Sequence, residues 1–168
     1  EPLGWAIGNS LEVIESVEIL KGMHGDGDLA RMSFRLAAEM LLLGGAASDL
    51  AQAEARVARS VADGTAMAAY RAFVAQNGGN PQALDDFSLL PQATRHVKVP
   101  APRSGYVHAI DSRALGILAM ELGAGRKSKD DVLDLGVGIR VHVRRGQWVE
   151  AGEPMLTLHA SDRPLPTL

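Results

Sequence analysis

Lys98-Val-Pro-Ala-Pro-Arg-Ser-Gly-Tyr-Val-His-Ala-Ile110 is answered by Gly138-Ile-Arg-Val-His-Val-Arg-Arg-Gly-Gln-Trp-Val-Glu-Ala-Gly-Glu-Pro-Met-Leu-Thr-Leu158, and these two stretches decide the fold. Both alternate apolar with polar residues, and both are punctuated by Pro and Gly, the signature of short strands closed by turns. Strands are predicted over 96–99, 105–110, 139–143 and 155–158. Gly146 and Gly152 supply turns around the run 147–151. Between the two stretches, residues 112–122 carry Leu115, Leu118, Met120 and Leu122 as the core set of a helix, which Gly123 and Gly125 terminate. The tail thus reads as a small β-sandwich with an inserted helix.

Working outward, the composition changes. Residues 78–95 hold Pro, Asp and Asn in a linker, and before them helical spacing takes over. Asn9 or Ser10 caps a helix with Leu11, Val13, Ile14, Val17 and Leu20. Asp28 caps a second, in which Leu29, Met32, Leu36 and Met40 recur before Gly44-Gly45. Ser48 or Asp49 opens a third, ended by Asp63-Gly64, and Thr65 opens a fourth, ended by Asn77-Gly78-Gly79. Residues 1–8 read as loop. No strand is evident here for the helical layer to cover, and a four-helix bundle is the alternative.

Composition excludes several functions. A formal charge of −3 is read as leaving no basic face for nucleic acid or an anionic membrane, and with 4% aromatics base-stacking platforms are not expected. There is no cysteine, so disulfides, thiolate metal sites and cysteine nucleophiles are absent. The longest apolar run, around Met40-Leu-Leu-Leu43, stops at Gly44 and falls far short of the roughly 20 residues that span a bilayer. No secretory pattern opens the sequence. A start on Glu1-Pro2-Leu3-Gly4, without Met, is read as a piece of something longer.

The opening Pro2-Leu-Gly-Trp-Ala-Ile-Gly-Asn9 followed by Leu11-Glu-Val13, Asp28-Leu29, Glu39-Met-Leu41, Leu122-Gly-Ala-Gly-Arg126 and Gly136-Val-Gly-Ile139 fall in an order that resembles the second half of the thymidine phosphorylase and pyrimidine-nucleoside phosphorylase family. The resemblance covers about residues 2–160. It implies an α+β piece of an α/β enzyme. Residues 1–95 would be the helical C-terminal part of the central α/β domain, and 96–168 the C-terminal domain, a barrel-sandwich hybrid-like β-sandwich. It also implies the parent's reaction, in which a pyrimidine nucleoside and phosphate give the base and a pentose 1-phosphate. Such a pentosyltransferase would be cytoplasmic and homodimeric, with no nucleic-acid or membrane partner.

In that family phosphate sits in a Lys-x-Ser-Thr-Gly-Gly loop, which this sequence lacks. Gly44-Gly45 and Gly78-Gly79 follow helices, without adjacent Lys or following Ser/Thr, and read as helix stops. No catalytic or substrate-binding residue is therefore assigned, and the chain alone is expected to be inactive. No cofactor is required. The resemblance does imply a potassium ion in the intact parent, with the main-chain carbonyls of Leu3 and Ala6 and the carboxylate of Glu15 as partial ligands. The alternative makes Glu15 a solvated helix-face acid.

Five histidines, 24, 96, 108, 142 and 159, form no paired ligand motif, so zinc is not expected. His108 and His142 are read as strand residues, cross-strand partners or surface groups. No G-x-S-x-G surrounds Ser104 or Ser112, which argues against a serine hydrolase. Arg126 is read as tying its loop to a neighbour, and 127–131 as a solvated charged loop. A biotinyl/lipoyl-like carrier or docking module is the second hypothesis, from the Gly-x-Val turns. A carrier needs a lysine at a hairpin tip, and Lys127 and Lys129 lack the neighbours. Two further expectations follow: an apolar face left exposed on helices 9–77, and a non-helical end over 163–168.

Overall fold

The computed structural model describes residues 1–165. The order of elements is β1 (Ala6–Ile7), α1 (Asn9–Leu20), α2 (Asp28–Leu43), α3 (Leu50–Ala62), α4 (Thr65–Gln76), β2 (Arg95–Pro100), β3 (Gly105–Tyr106), α5 (Ser112–Leu122), β4 (Gly138–Val141), β5 (Trp148–Val149) and β6 (Pro154–Ala160). Short 3-10 turns at Pro81–Leu84 and Phe87–Leu89 lie in the predicted linker. Helices and sheets are both present, in an α+β arrangement.

Packing divides the chain into two units, Glu1–Glu15 with the chain from Ser88 onward, and Ser16–Phe87. The composition boundary at 95 is a different partition: it follows residue type, whereas the first fifteen residues group by contact with the later segment.

In the first unit, a four-stranded antiparallel sheet runs β1-β4-β6-β2, and β3 pairs with β5 in a two-stranded one. Alternation along β2, β4 and β6 sends Val97, Val99, Ile139, Val141, Leu156 and Leu158 to one face. There they meet Leu115, Ala119 and Leu122 of α5 and Val149 of β5 in a single apolar cluster. Asp111 caps α5, accepting from Arg113 N and Ala114 N, and Gly123 closes it in the left-handed region.

Three expectations are corrected here. Residues 1–8 are not all loop, because Ala6 and Ile7 pair with Arg140 and Ile139. A two-residue strand has no alternation to read, and only its partner reveals it. The strand expected over 105–110 ends at Tyr106, so His108 lies outside it, and His142 lies one residue beyond β4. In α5, Ala119 takes a core place, while Met120 turns toward the loop at Gly125. Of the end read as non-helical, 163–165 are irregular, and 166–168 lie outside the described residues.

In the second unit, α2 packs on α3 through alanines. Ala38 and Ala53 are wholly buried, joined by Ala47 and Val57 with Phe34, Ala37, Leu41 and Leu50 around them. Asp49 caps α3 by accepting from Gln52 N at 2.8 Å. Gly44 and Gly78 follow α2 and α4 as stops. The Met32, Leu36 and Met40 stripe is not core: these residues are exposed, with Leu43, and Met40 keeps 72% of its surface. Alanines allow close helix approach, and Ala38 and Ala53 take the most buried places of the α2–α3 seam, with Val57, Phe34, Leu41 and Leu50 packed around them.

Candidate functional site

The segment Gly4–Glu15 carries the arrangement with most chemical content. Its shape starts with Gly8, at φ 133°, where an added Cβ would stand 2.6 Å from the Val137 carbonyl oxygen. Only glycine fits that approach and that backbone. From Gly8 the chain enters α1 through a reciprocal cap. Gly8 N–H donates to Glu12 Oε1 at 3.0 Å, and Glu12 N–H donates to the Gly8 carbonyl at 2.9 Å. Asn9 Nδ2 donates to the Ala124 carbonyl at 3.1 Å, and Ser10 N–H to the Leu135 carbonyl at 3.1 Å.

Glu15, about two turns into α1, reaches back to the loop before it. Its carboxylate accepts from Trp5 N–H at 2.6 Å and Ala6 N–H at 3.2 Å. It is 4% exposed. The alternative of a solvated helix-face acid is therefore wrong: the side chain points inward because two otherwise unpaired amides await it. A Cβ at Gly4 would collide with this carboxylate, so the loop needs glycine there. Among the described residues no Lys, Arg or His forms an ion pair with Glu15.

The edge position of β1 decides where its carbonyls point. Val141 N–H donates to the Trp5 carbonyl at 2.8 Å, so that carbonyl faces β4, while the Trp5 N–H turns to Glu15. In an antiparallel ladder the next residue turns its amide and carbonyl the other way. Ala6 does so, and its N–H meets Glu15. The Ala6 carbonyl accordingly lies on the free edge of the sheet, on the side of Glu15. Leu3 precedes Gly4 in the same loop and is exposed. A buried carboxylate has about four acceptor positions, and two are taken here. A free-edge carbonyl and an anionic oxygen form a donor set of the type hard cations use, though an incomplete one.

The remaining candidates are dispersed. His24 pairs with Glu18 at 3.4 Å, His96 meets His159 edge to face at 4.5 Å, and His142 Nε2 lies 2.8 Å from Thr157 Oγ1. No group of three or more His, Asp or Glu among the described residues could hold a metal ion. His142 is thus a cross-strand partner. Burial, aided by Arg140 and Lys98, lowers its pKa. In the 127–131 loop, Asp131 accepts from Lys127 N, Ser128 N and Ser128 Oγ, and these bonds hold its carboxyl below the usual range. Lys127 and Lys129 lie in this loop after α5, not at a hairpin tip. Arg126 is exposed. An apolar cleft of about 660 Å³ in the helical unit is lined by Leu20, Phe34, Leu41 and Val61 among others. No described helix is long and apolar enough to cross a membrane.

The comparisons with known proteins concern nearly all of this chain. It is 41% identical over 161 residues to the pyrimidine-nucleoside phosphorylase of Bacillus subtilis (strain 168), covering 96% of this chain and 37% of that protein. It is 38% identical, with the same coverage, to that of Staphylococcus aureus (strain USA300). The chain therefore spans well under half the length of these relatives. Residues 106–167 match the family described as Pyrimidine nucleoside phosphorylase C-terminal domain. By these matches the chain is similar to a part of pyrimidine-nucleoside phosphorylases, and its residues 106–167 match the model of their C-terminal domain.

Proposed function

We propose that this chain is the C-terminal part of a pyrimidine-nucleoside phosphorylase and serves as its frame. The parent would convert a pyrimidine nucleoside, such as thymidine, and inorganic phosphate to the free base and a (deoxy)ribose 1-phosphate, as a cytoplasmic homodimer. In this reading residues 1–95 complete the central α/β domain, and 96–168 form its C-terminal sandwich. The observation that carries the reading is identity of 38–41% over 96% of the chain, against only 37% of each relative. The sequence contains no Lys-x-Ser-Thr-Gly-Gly loop to cradle phosphate, which supports assigning the chemistry to the remainder of the parent.

Within the parent, this chain's contribution is positional. Phosphorolysis gains most from holding phosphate and sugar in line and from neutralising developing charge. Glu15, with the Leu3 and Ala6 carbonyls, would supply part of a potassium site, a fixed positive charge near the anion. The sheet that pairs with β1, and the ties from Asn9 and Ser10, hold that loop in place.

The test is base release by the full-length parent with and without residues 96–168. Turnover and stability that both depend on these residues support the reading. Turnover unchanged by their deletion contradicts the framing role. An intact parent that releases no base from thymidine or uridine in phosphate overturns the function.

A further inference from the structure

We infer that the outer face of the four-stranded sheet is a docking surface for a carboxylate-rich polypeptide segment. The strands that send valine, leucine and isoleucine to the core send a different set outward. His96 and Lys98 come from β2, Thr157 and His159 from β6, Arg140 from β4, and His142 follows β4 directly. The register places Lys98 and Arg140 on either side of Thr157, and His96 beside His159. The other neighbour of His159 is Gly138, which has no side chain to cover the imidazole. One face of three adjacent strands thus carries two permanent cations and three imidazoles.

Among the described residues Lys98 and Arg140 form no ion pair. The charged groups that act on His142 are Arg140 and Lys98, and those that act on His159 are His96, Arg140 and His142. Like charges on neighbouring strands weaken a sheet, so this face costs stability that no ion pair among the described residues returns. The side chains are also held in place. The Arg140 guanidinium lies over the Trp5 ring, 4.2 Å from its centroid. His142 bonds to Thr157, and His96 packs edge-on against His159. His96, Lys98, Arg140 and His142 are exposed, and His159 is half-buried.

Spacing selects the occupant. Lys98 and Arg140 stand two strand separations apart, roughly 10 Å. A segment with several Asp or Glu side chains can engage both at once along with the imidazoles, and its charge is complementary. Acidification sharpens the match. Burial, with its basic neighbours, holds His159 at a pKa of about 4. Carboxylates placed against the imidazoles raise their proton affinity, while Asp and Glu stay ionised above about pH 5. Binding is therefore coupled to proton uptake and strengthens as pH falls from 7.5 to 5.5.

The experiment titrates the 168-residue chain with poly-L-glutamate at low ionic strength, following the histidine ring resonances and the heat of binding. Expected are shifts of His96, His142 and His159 on one isotherm, and affinity at least about tenfold higher at pH 5.5 than at 7.5. Raising salt to about 0.5 M should abolish it. Lys98→Ala should weaken binding at least about fivefold, with unchanged far-UV circular dichroism, and Lys129→Ala, in the loop after α5, should not. Equal affinity at both pH values, or equal loss in the two variants, overturns the proposal. So does tighter binding of a single-stranded oligonucleotide or of anionic phosphatidylserine vesicles than of poly-glutamate. Base release by the parent is untouched by any of these outcomes, so this inference and the phosphorylase reading fail separately.

Discussion

The two units of this chain treat their large apolar residues differently. The sheet unit encloses Val137, Ile139 and Leu158 in one cluster, whereas the helical unit encloses Val17 and Leu84 but seats Ala38 and Ala53 between α2 and α3 and leaves Met32, Leu36, Met40 and Leu43 outside. The first gathers its large side chains into one core. The second joins α2 to α3 around alanines and turns the large apolar residues of the α2 stripe outward. Hydrophobic spacing along a helix shows that a face is meant to be covered, but it does not say whether the same chain supplies the cover. Exposure of this stripe agrees with a helical layer shaped for more polypeptide than these residues provide.

The contrast can be broken most sharply in the sheet unit. Ile139→Ala should cost about 3–4 kcal/mol through lost burial and a residual cavity, measured by urea unfolding. A loss below about 1 kcal/mol would mean that the core is looser than its burial indicates. In the helical unit the corresponding error is an addition. Ala53→Leu should force α2 and α3 apart and cost about 2 kcal/mol, detected as early loss of helicity on heating.

A smaller effect comes from pH. His159 has a pKa lowered to about 4 by burial, then by His96, Arg140 and His142. The unfolded chain, with a histidine pKa near 6.5, binds more protons between these values, so stability falls as pH drops through that window. The half-exposed ring limits the loss to on the order of 1 kcal/mol. His159→Gln should flatten the dependence of melting temperature on pH between about 7 and 4.5. Smallest for stability is Leu36→Lys with Met40→Lys, within about 0.5 kcal/mol because both sites are exposed. The same pair should lower self-association in analytical ultracentrifugation, and unchanged association would mean that the stripe does not drive it.

Much of the fold was legible because the sequence marks its own breaks. Asp49, Gly44 and Gly123 sit at helix ends for capping reasons that are local, and the four early helices and α5 follow from them. β1 and β5 were missed because two residues carry no period; each exists only through its pairing partner. The stripe on α2 follows from its spacing, and its exposure is that of the apolar face expected on helices 9–77. At the candidate site, Leu3, Ala6 and Glu15 came from family resemblance. What the sequence could not show is the inward turn of Glu15, which depends on the amides of a tight loop and on the absence of a side chain at Gly4. The basic sheet face was readable in principle. His96 and Lys98, Arg140 and His142, Thr157 and His159 each recur at a spacing of two, but net charge hid a local concentration.

The most direct test of the account is a phosphorolysis assay on the purified 168-residue chain, with thymidine and inorganic phosphate and chromatographic detection of thymine. The account predicts no release above the buffer control, at any potassium concentration, while the full-length parent turns over under the same conditions. Thymine formed by the chain itself, free of host enzyme, would contradict the claim that this polypeptide frames a phosphate site made elsewhere.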